Sequence, residues 1–170
     1  QSPEYGWCLI EPADDYRPPK TAGPGKPIDA PKEGALIFPT GAMNFEQLRG
    51  LFAVLPVDLT FVDADDTVRY FSEGADRVFA RSKAIIGRKV HHCHPPKSVH
   101  IVEKIVSDFK SGAQNVAEFW IQMHGKFIHI RYFAVRDERG TYLGTLEVTQ
   151  ALTRLRALEG ERRLLEYQQA

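Results

Sequence analysis

Three strand-like segments follow one another in the second half of the chain with only short turns between them. They span residues 116–123, 127–136 and 142–149. Gly125 marks the first turn and the polar run 137–140 marks the second, as expected of β-hairpins. Strands joined so closely must run antiparallel, because a parallel pair needs a long crossover between its strands. The chain is therefore predicted to contain an antiparallel sheet.

Two further strands and some short helices are predicted before this sheet. Residues 59–63 and 68–71 are strand candidates, and the Asp-rich residues 64–66 between them are typical of a turn. Residues 74–90 show no long hydrophobic period, which indicates one or two short helices there.

The longest helix of this region is predicted to begin at Pro95-Pro96 and to end at Ser111-Gly112. Its apolar positions recur at helical spacing: Val99, Val102, Val106 and Phe109. On a helical wheel His100 lies nearly opposite this stripe, so we expect it to face solvent.

The N-terminal segment is dominated by proline, since eight of the eleven prolines lie in the first 39 residues. Proline is unsuited to helix interiors and central strands, so residues 1–43 are predicted to form an extended arm. Apolar residues at its two ends are expected to dock on the body of the protein: Trp7, Leu9, Ile10, Leu36, Ile37 and Phe38. A disordered tail is the alternative.

Two helices are predicted outside the central part of the chain. Residues 44–56 form an amphipathic segment with Asn44 as its N-cap and Pro56 as its stop. Residues 151–170 have helical propensity and carry a leucine stripe, interrupted by Arg162, that consists of Leu155, Leu158 and Leu165. A helix this short needs a packing partner.

Composition excludes several classes of protein. Lys+Arg and Asp+Glu both number 22, whereas nucleic-acid-binding proteins usually carry a basic excess. No apolar run approaches the roughly 20 residues that span a bilayer. Two distant cysteines, Cys8 and Cys93, are too few for a disulfide scaffold and favour a reducing, cytoplasmic setting. The absence of an initiator Met at Gln1 leads us to expect a fragment of a longer protein.

The order of predicted elements between residues 58 and 149 resembles a PAS domain. Residues 59–72 are similar to the first PAS hairpin, and residues 133–144 to the last one. The resemblance implies an α+β PAS fold over residues 57–150, with a five-stranded antiparallel sheet and short helices on one face. It also implies a sensory or protein-interaction module that signals through its terminal helices and is not an enzyme.

A narrower resemblance is to an uncharacterised prokaryotic family that joins a hemerythrin-like helical domain to a C-terminal PAS domain. Residues 93–100 and 158–165 carry this similarity. It implies an upstream hemerythrin-like domain in the full-length protein.

Histidines cluster between residues 91 and 100, and the candidate metal ligands there are His92, Cys93, His94 and His100. Imidazole and thiolate suit zinc and similar metals, but a closed site wants four well-spaced ligands and adjacent residues point to opposite sides. The alternative is a polar junction that caps the following helix. The second hypothesis for function is that this segment binds a metal or heme and acts as a redox or gas sensor. No motif in the sequence requires a cofactor.

Two further chemistries lack their motifs. Cys93 has none of the neighbours of a flavin-reactive cysteine in light-sensing PAS domains. Neither a Gly-x-Ser-x-Gly elbow nor a glycine-rich phosphate loop occurs.

The strand at 127–136 is apolar on both faces, whereas a half-exposed strand is usually polar on one. The face with Trp120, Phe127 and Phe133 therefore needs a cover, namely the arm, the helix at 44–56 or a second subunit. With the leucine stripe, this face predicts a homodimer, whose interface residues are Trp120, Phe127, Phe133, Leu155 and Leu158.

The opposite face, by the PAS resemblance, meets the helices and any internal cavity. The predicted ligand pocket consists of Val99, Val102, Val106, Phe109, Ile128, Ile130, Tyr132, His94 and Arg88. Because His94 and Arg88 would supply positive charge, a small anion or carboxylate is the expected ligand. Simple close packing of the same residues is the alternative.

Overall fold

A computed structural model describes residues 34–74 and 77–162 of the chain. The strands are β1 (Ala35–Phe38), β2 (Gly41–Asn44), β3 (Asp58–Asp63), β4 (Val68–Phe71), β5 (Val116–Met123), β6 (Lys126–Arg136) and β7 (Tyr142–Ala151). The helices are α1 (Phe45–Val54), α2 (Pro96–Ser111) and α3 (Thr153–Arg156), with 3₁₀ turns at Lys83–Ile85 and Val90–Cys93. The predicted five central strands, the short helices and the long helix are all present.

The central sheet has five antiparallel strands in the order β4-β3-β7-β6-β5. Strands β5, β6 and β7 pair through successive hairpins, and β7 returns to lie beside β3. The predicted α+β class with a five-stranded antiparallel sheet is confirmed.

Cross-strand register decides which side chains share a face of this sheet. Glu147 in β7 pairs with Thr60 in β3 and with Tyr132 in β6. We call the face that carries this row the inner face, and it lies against α2 and the 3₁₀ turns. The opposite, outer face carries Trp120 and Phe133.

Helix α2 covers the inner face as its apolar stripe predicts. It begins at Pro96 and ends at Ser111, and Gly112 caps it with a left-handed φ of 79° that is favourable for glycine. Val106 and Phe109 are buried, whereas His100 on the far side is exposed. The expected solvent exposure of His100 is confirmed.

Residues 35–44 form a β-hairpin, so the prediction of an extended arm up to residue 43 is wrong for its last part. Strands β1 and β2 pair from Ala35 with Asn44 to Phe38 with Gly41. The prediction failed because Pro39 lies in the turn, where a missing backbone donor costs nothing. The remainder of the arm, residues 1–33, lies outside the described residues.

Helix α1 agrees with its prediction. The Asn44 side chain accepts a hydrogen bond from the Gln47 backbone (2.8 Å), and the Gln47 side chain accepts one from the Asn44 backbone (2.9 Å). This capping box fixes the start of the helix. Pro56 follows one residue after the C-cap, Leu55.

The predicted C-terminal helix over 151–170 is wrong for its described part. Ala151 still belongs to β7, and α3 is a single turn that is not continued through residue 162. The Leu152 backbone donates to the Phe127 carbonyl (2.8 Å), which ties the chain to the sheet before α3 begins. A single turn has little stability of its own. Leu165 lies outside the described residues.

None of the helices in residues 34–74 and 77–162 has the length and apolar character that crossing a membrane requires.

We predict that Gly144→Ala destabilises the fold by about 2–3 kcal/mol, through overpacking against a backbone that cannot move aside. A Cβ at Gly144 would lie 2.2 Å from the Val62 carbonyl oxygen and 2.8 Å from the Phe61 ring. Gly50→Ala in α1 is the control, since no atom lies within 4 Å of its added Cβ, and it should stabilise by about 0.5–1 kcal/mol. Urea unfolding measures both. Equal effects of the two substitutions would contradict the close approach of β3 and β7.

Candidate functional site

A cavity of about 30 Å³ lies between the inner face of the sheet and α2. That space holds at least one water-sized group. Its lining comprises Thr60, Val62, Val68, Arg81, Val90, Cys93, His94, Val102, Ile105, Val106, Tyr132, Thr145 and Glu147. One wall is thus aliphatic, from α2 and the strand edges, and the other is polar.

The polar wall is centred on an ion pair between Arg81 and Glu147. Arg81 Nη2 lies 2.8 Å from Glu147 Oε1, and the two side chains are only 16% and 10% exposed. Thr149 Oγ1 also donates to Glu147 Oε1 at 3.4 Å. Arg81 Nε is buried and has no hydrogen-bond partner, so one donor of this pair is left without an acceptor.

A second buried pair lies beside the first. Arg77 Nη1 lies 3.9 Å from Asp58 Oδ1, and Arg77 Nη2 donates to Thr60 Oγ1 at 3.5 Å. Asp58 Oδ2 in turn accepts from the Val78 backbone at 2.6 Å. Burial lowers the pKa of Arg77, and the charge of Asp58 opposes that shift. The two acids and two arginines together carry no net charge.

Tyr132 lies next to Glu147 across the β6–β7 pairing. Burial, followed by the negative charge of Glu147, raises the pKa of Tyr132 well above its ordinary value. Its ring meets Phe119 edge-on, with centroids 6.0 Å apart. Tyr132 therefore presents a protonated hydroxyl to the site at any ordinary pH.

The segment that precedes α2 forms the remaining wall. His94 Nδ1 lies 2.9 Å from the Val90 carbonyl, to which it donates. The Cys93 thiol lies 3.7 Å from the Lys89 carbonyl. Val90 and Val106 line both the cavity and a solvent-exposed groove beside His91, so these two valines lie between the cavity and that groove.

The structure brings together only part of the predicted pocket. Val102, Val106, Tyr132 and His94 line the cavity. Five predicted residues do not: Val99, Phe109, Ile128, Ile130 and Arg88. Phe109 and Ile128 are fully buried in the adjacent packing. The Arg88 side chain is exposed. It is the backbone carbonyl of Arg88 that faces the sheet, where it accepts a hydrogen bond from the Val68 backbone.

Sequence reasoning missed Arg81 and Glu147, which supply the charge of the site. One usable signal was the alternation of β7, where Thr145, Glu147 and Thr149 share one face and Leu146 shares the other with Val148. Hydrophobic patterning alone would turn the apolar side inward. The β6 pairing instead turns the polar side inward, since Glu147 is opposite Tyr132.

The histidine cluster is spread over two elements. His92 and Cys93 lie in a 3₁₀ turn and His100 lies on the exposed side of α2. The rings of His91 and His92 contact each other at 4.1 Å between centroids. Among residues 34–74 and 77–162, no three His, Cys, Asp or Glu side chains are grouped so that they could hold a metal ion.

The predicted interface residues lie on the outer face and at the C-terminal end. Trp120 is 63% exposed, so α1 does not cover it. Helix α1 instead contacts the other edge of the sheet, where Phe52 meets Tyr70 at 5.9 Å between ring centroids. Phe133 is half-buried under the Arg131 guanidinium.

The other predicted interface residues lie near α3. The Phe127 ring packs under the Arg156 guanidinium at 4.1 Å. Leu155 and Leu158 are both largely exposed.

Comparison with known proteins gives a consistent result. A family model described as a PAS domain matches residues 48–153. The C-terminal domain of a Streptococcus mutans protein is 33% identical, with a TM-score of 0.68, and the match covers 74% of this chain and 97% of that one.

Two more distant structures also match. The PAS domain of a Colwellia psychrerythraea protein is 18% identical over 64% of this chain and 97% of that one, with a TM-score of 0.48. A sensory box sensor histidine kinase from Vibrio cholerae is 13% identical over 62% and 88%, with a TM-score of 0.44. A search of curated protein sequences gave no match.

We predict that Tyr132 makes stability depend on pH in the alkaline range. An unfolded tyrosine titrates at about pH 10, and the folded pKa of Tyr132 lies higher. Its contribution is therefore complete below pH 10 and is lost as the pH rises toward the folded pKa. The free energy of unfolding should fall faster between pH 10 and 11 in the wild type than in Tyr132→Phe. From pH 7 to 9 the difference between the two proteins should stay constant; a parallel decline above pH 10 would contradict the burial of this hydroxyl.

Proposed function

The chain belongs to the PAS domain family, and from that we propose that it is a non-enzymatic sensory module that binds a small molecule between α2 and the inner face of the sheet. The observation that carries the proposal is the cavity. One side of the cavity is aliphatic, and the other side is an ion pair in which Arg81 Nε has no hydrogen-bond acceptor. Protein interiors are otherwise close-packed, and their buried polar groups are nearly always hydrogen-bonded. A space next to an unpaired buried donor therefore favours an occupant.

The size of the cavity limits that occupant. Drug-sized ligands occupy pockets of roughly 300–1,000 Å³, at least about ten times the volume found here. A molecule of a few heavy atoms fits without rearrangement, whereas a heme does not. The second hypothesis, metal or heme sensing by the segment 91–100, gains no support from any contact among the described residues.

We propose that occupancy is transmitted through the buried charges toward α1. Arg81 and Arg77 influence each other electrostatically, and Arg77 is paired with Asp58 at the first position of β3. Asp58 follows the last residue of α1, Val54, by four positions. A ligand that moves Arg81 would thus change the charge around the start of β3, to which α1 is connected.

We also propose a homodimer that uses the exposed part of the outer face. Trp120 and Val116 lie on that face of the edge strand β5 and are more than half exposed. Burying one such aromatic side chain contributes roughly 2 kcal/mol. The upstream hemerythrin-like domain and the cytoplasmic location stay predictions.

The binding proposal predicts that Val106→Ile abolishes binding of 1-propanol, a small neutral probe. The added methyl group fills the cavity that Val106 lines, and filling should raise stability by about 0.5–1 kcal/mol. Val99→Ile is the matched control, because it places the same change on α2 outside the cavity. Methyl NMR would follow the probe, and urea unfolding would follow stability.

In the wild type and in Val99→Ile, the probe should shift the methyl signals of Val102 and Ile105. If Val106→Ile alone is destabilised by more than about 1 kcal/mol, the site is already overpacked and the proposal fails.

The dimer proposal predicts that Trp120→Lys raises the dimer dissociation constant at least tenfold, since a buried unpaired charge replaces an apolar anchor. Ile101→Lys is the control, as Ile101 is an exposed apolar residue on α2, in the other layer. Sedimentation velocity over a range of concentrations measures both. A monomeric wild type at high micromolar concentration would rule the dimer out.

A further inference from the structure

We infer that the cavity selects an uncharged polar ligand, one that offers a hydrogen-bond acceptor to Arg81 Nε and places its apolar part against the valines of α2. This inference rests on the proposed function and names the ligand class of the same site. It replaces the anion expected from the sequence, which depended on His94 and Arg88; only His94 lines the cavity, and Arg88 lies outside it.

The acidic and basic side chains around the cavity are paired with each other. Arg81 is neutralised by Glu147 at 2.8 Å, and neither side chain is substantially exposed. The neighbouring Arg77 is likewise paired with Asp58. Tyr132 is held in its neutral form by its surroundings. The cavity therefore has no surplus charge to attract an ion.

A charged ligand would break the pairing of Arg81 with Glu147. An anion that took Arg81 from Glu147 would leave a buried carboxylate without its cation. A cation that took Glu147 would leave Arg81 equally unpaired. A buried ion that loses its partner is strongly unfavourable, so either ion is disfavoured relative to a neutral molecule of the same shape.

The hydrogen-bonding groups that remain unused indicate which polar group the ligand must offer. Arg81 Nε is a buried donor without an acceptor. Thr145 Oγ1 is already partnered by the Tyr142 hydroxyl at 2.7 Å, and Thr60 Oγ1 accepts from Arg77. The unmet requirement is for an acceptor oxygen, which a carbonyl or hydroxyl group provides without carrying charge.

The apolar wall indicates the character of the rest of the ligand. Val62, Val68, Val102, Ile105 and Val106 present only aliphatic carbon to the cavity. A ligand with one acceptor group and a short alkyl part matches both walls at once. Small amides, ketones and alcohols are the molecules with that character.

Three nearly isosteric probes of different charge test the inference: acetamide, acetate and the acetamidinium ion. We expect acetamide to bind at least tenfold more tightly than either ion, measured by the shifts of the Val102 and Ile105 methyl signals.

Substitutions that unbalance the ion pair should change the order of affinities. Glu147→Gln leaves Arg81 unpaired, so acetate should then bind at least tenfold more tightly than acetamide. Glu103→Gln is the matched control, since Glu103 is an exposed carboxylate on α2, and it should keep the wild-type order. If Glu147→Gln does not fold, the double substitution Arg81→Met and Glu147→Met removes both charges and should still exclude the two ions.

The outcomes separate the inference from the function on which it rests. Acetate or acetamidinium binding to the wild type as tightly as acetamide would overturn the inference, while any cavity-specific binding would leave the proposed function intact. If neither these probes nor 1-propanol shifts the cavity methyl signals, both the inference and the small-molecule function are wrong.

Discussion

The burial of Glu147 is the constraint on which the centre of this domain depends. The register of the sheet places its carboxylate on the inner face, between Thr60 and Tyr132. A carboxylate cannot be buried there without a cation and hydrogen bonds, because its desolvation is costly. Arg81, from the segment before α2, supplies the cation at 2.8 Å. The irregular chain between β4 and α2 is therefore tied to the sheet by charge as well as by apolar packing.

The same constraint explains why a cavity remains in so small a domain. The aliphatic stripe of α2 can pack closely against apolar parts of the sheet, and Phe109 and Ile128 show no exposure at all. It cannot pack equally well against the ion pair, because methyl groups cannot hydrogen-bond with Arg81 Nε. The space lies at this boundary, lined by Val106 on one side and Glu147 on the other. An occupant that is polar at one end satisfies both walls.

The two faces of the sheet carry different groups. The inner face holds the buried charges and the cavity, whereas the outer face leaves Trp120 exposed at one edge and contacts α1 at the other, through Tyr70. Strands β3 and β7 connect the two, since their alternate residues point to opposite faces. The cavity and the outer face are therefore separated by the thickness of a single sheet.

Short-range patterns in the sequence were sufficient for the central elements, and the resemblance of their order to a PAS domain gave the fold class. The strands at 116–123 and 127–136, the capping box at Asn44 and the glycine stop of α2 depend on residues close in the chain, so they could be recognised without a structure. The hairpin at 35–44 was not predicted, because the prolines around it favoured an irregular segment. The C-terminal helix was predicted to be too long, because helix propensity takes no account of the extension of β7 to Ala151.

The site was only half predictable, for a physical reason. Val106 and Tyr132 belong to regular apolar patterns, but Arg81 lies in an irregular segment and meets Glu147 across 66 positions of the chain. Periodicity within a strand determines which residues share a face; only the pairing between strands determines which face is buried. The sequence by itself therefore determined the long helix, the five central strands and part of the apolar wall. The tertiary structure alone decided that the polar wall is an ion pair, because burying Glu147 is favourable only where a distant arginine can reach it.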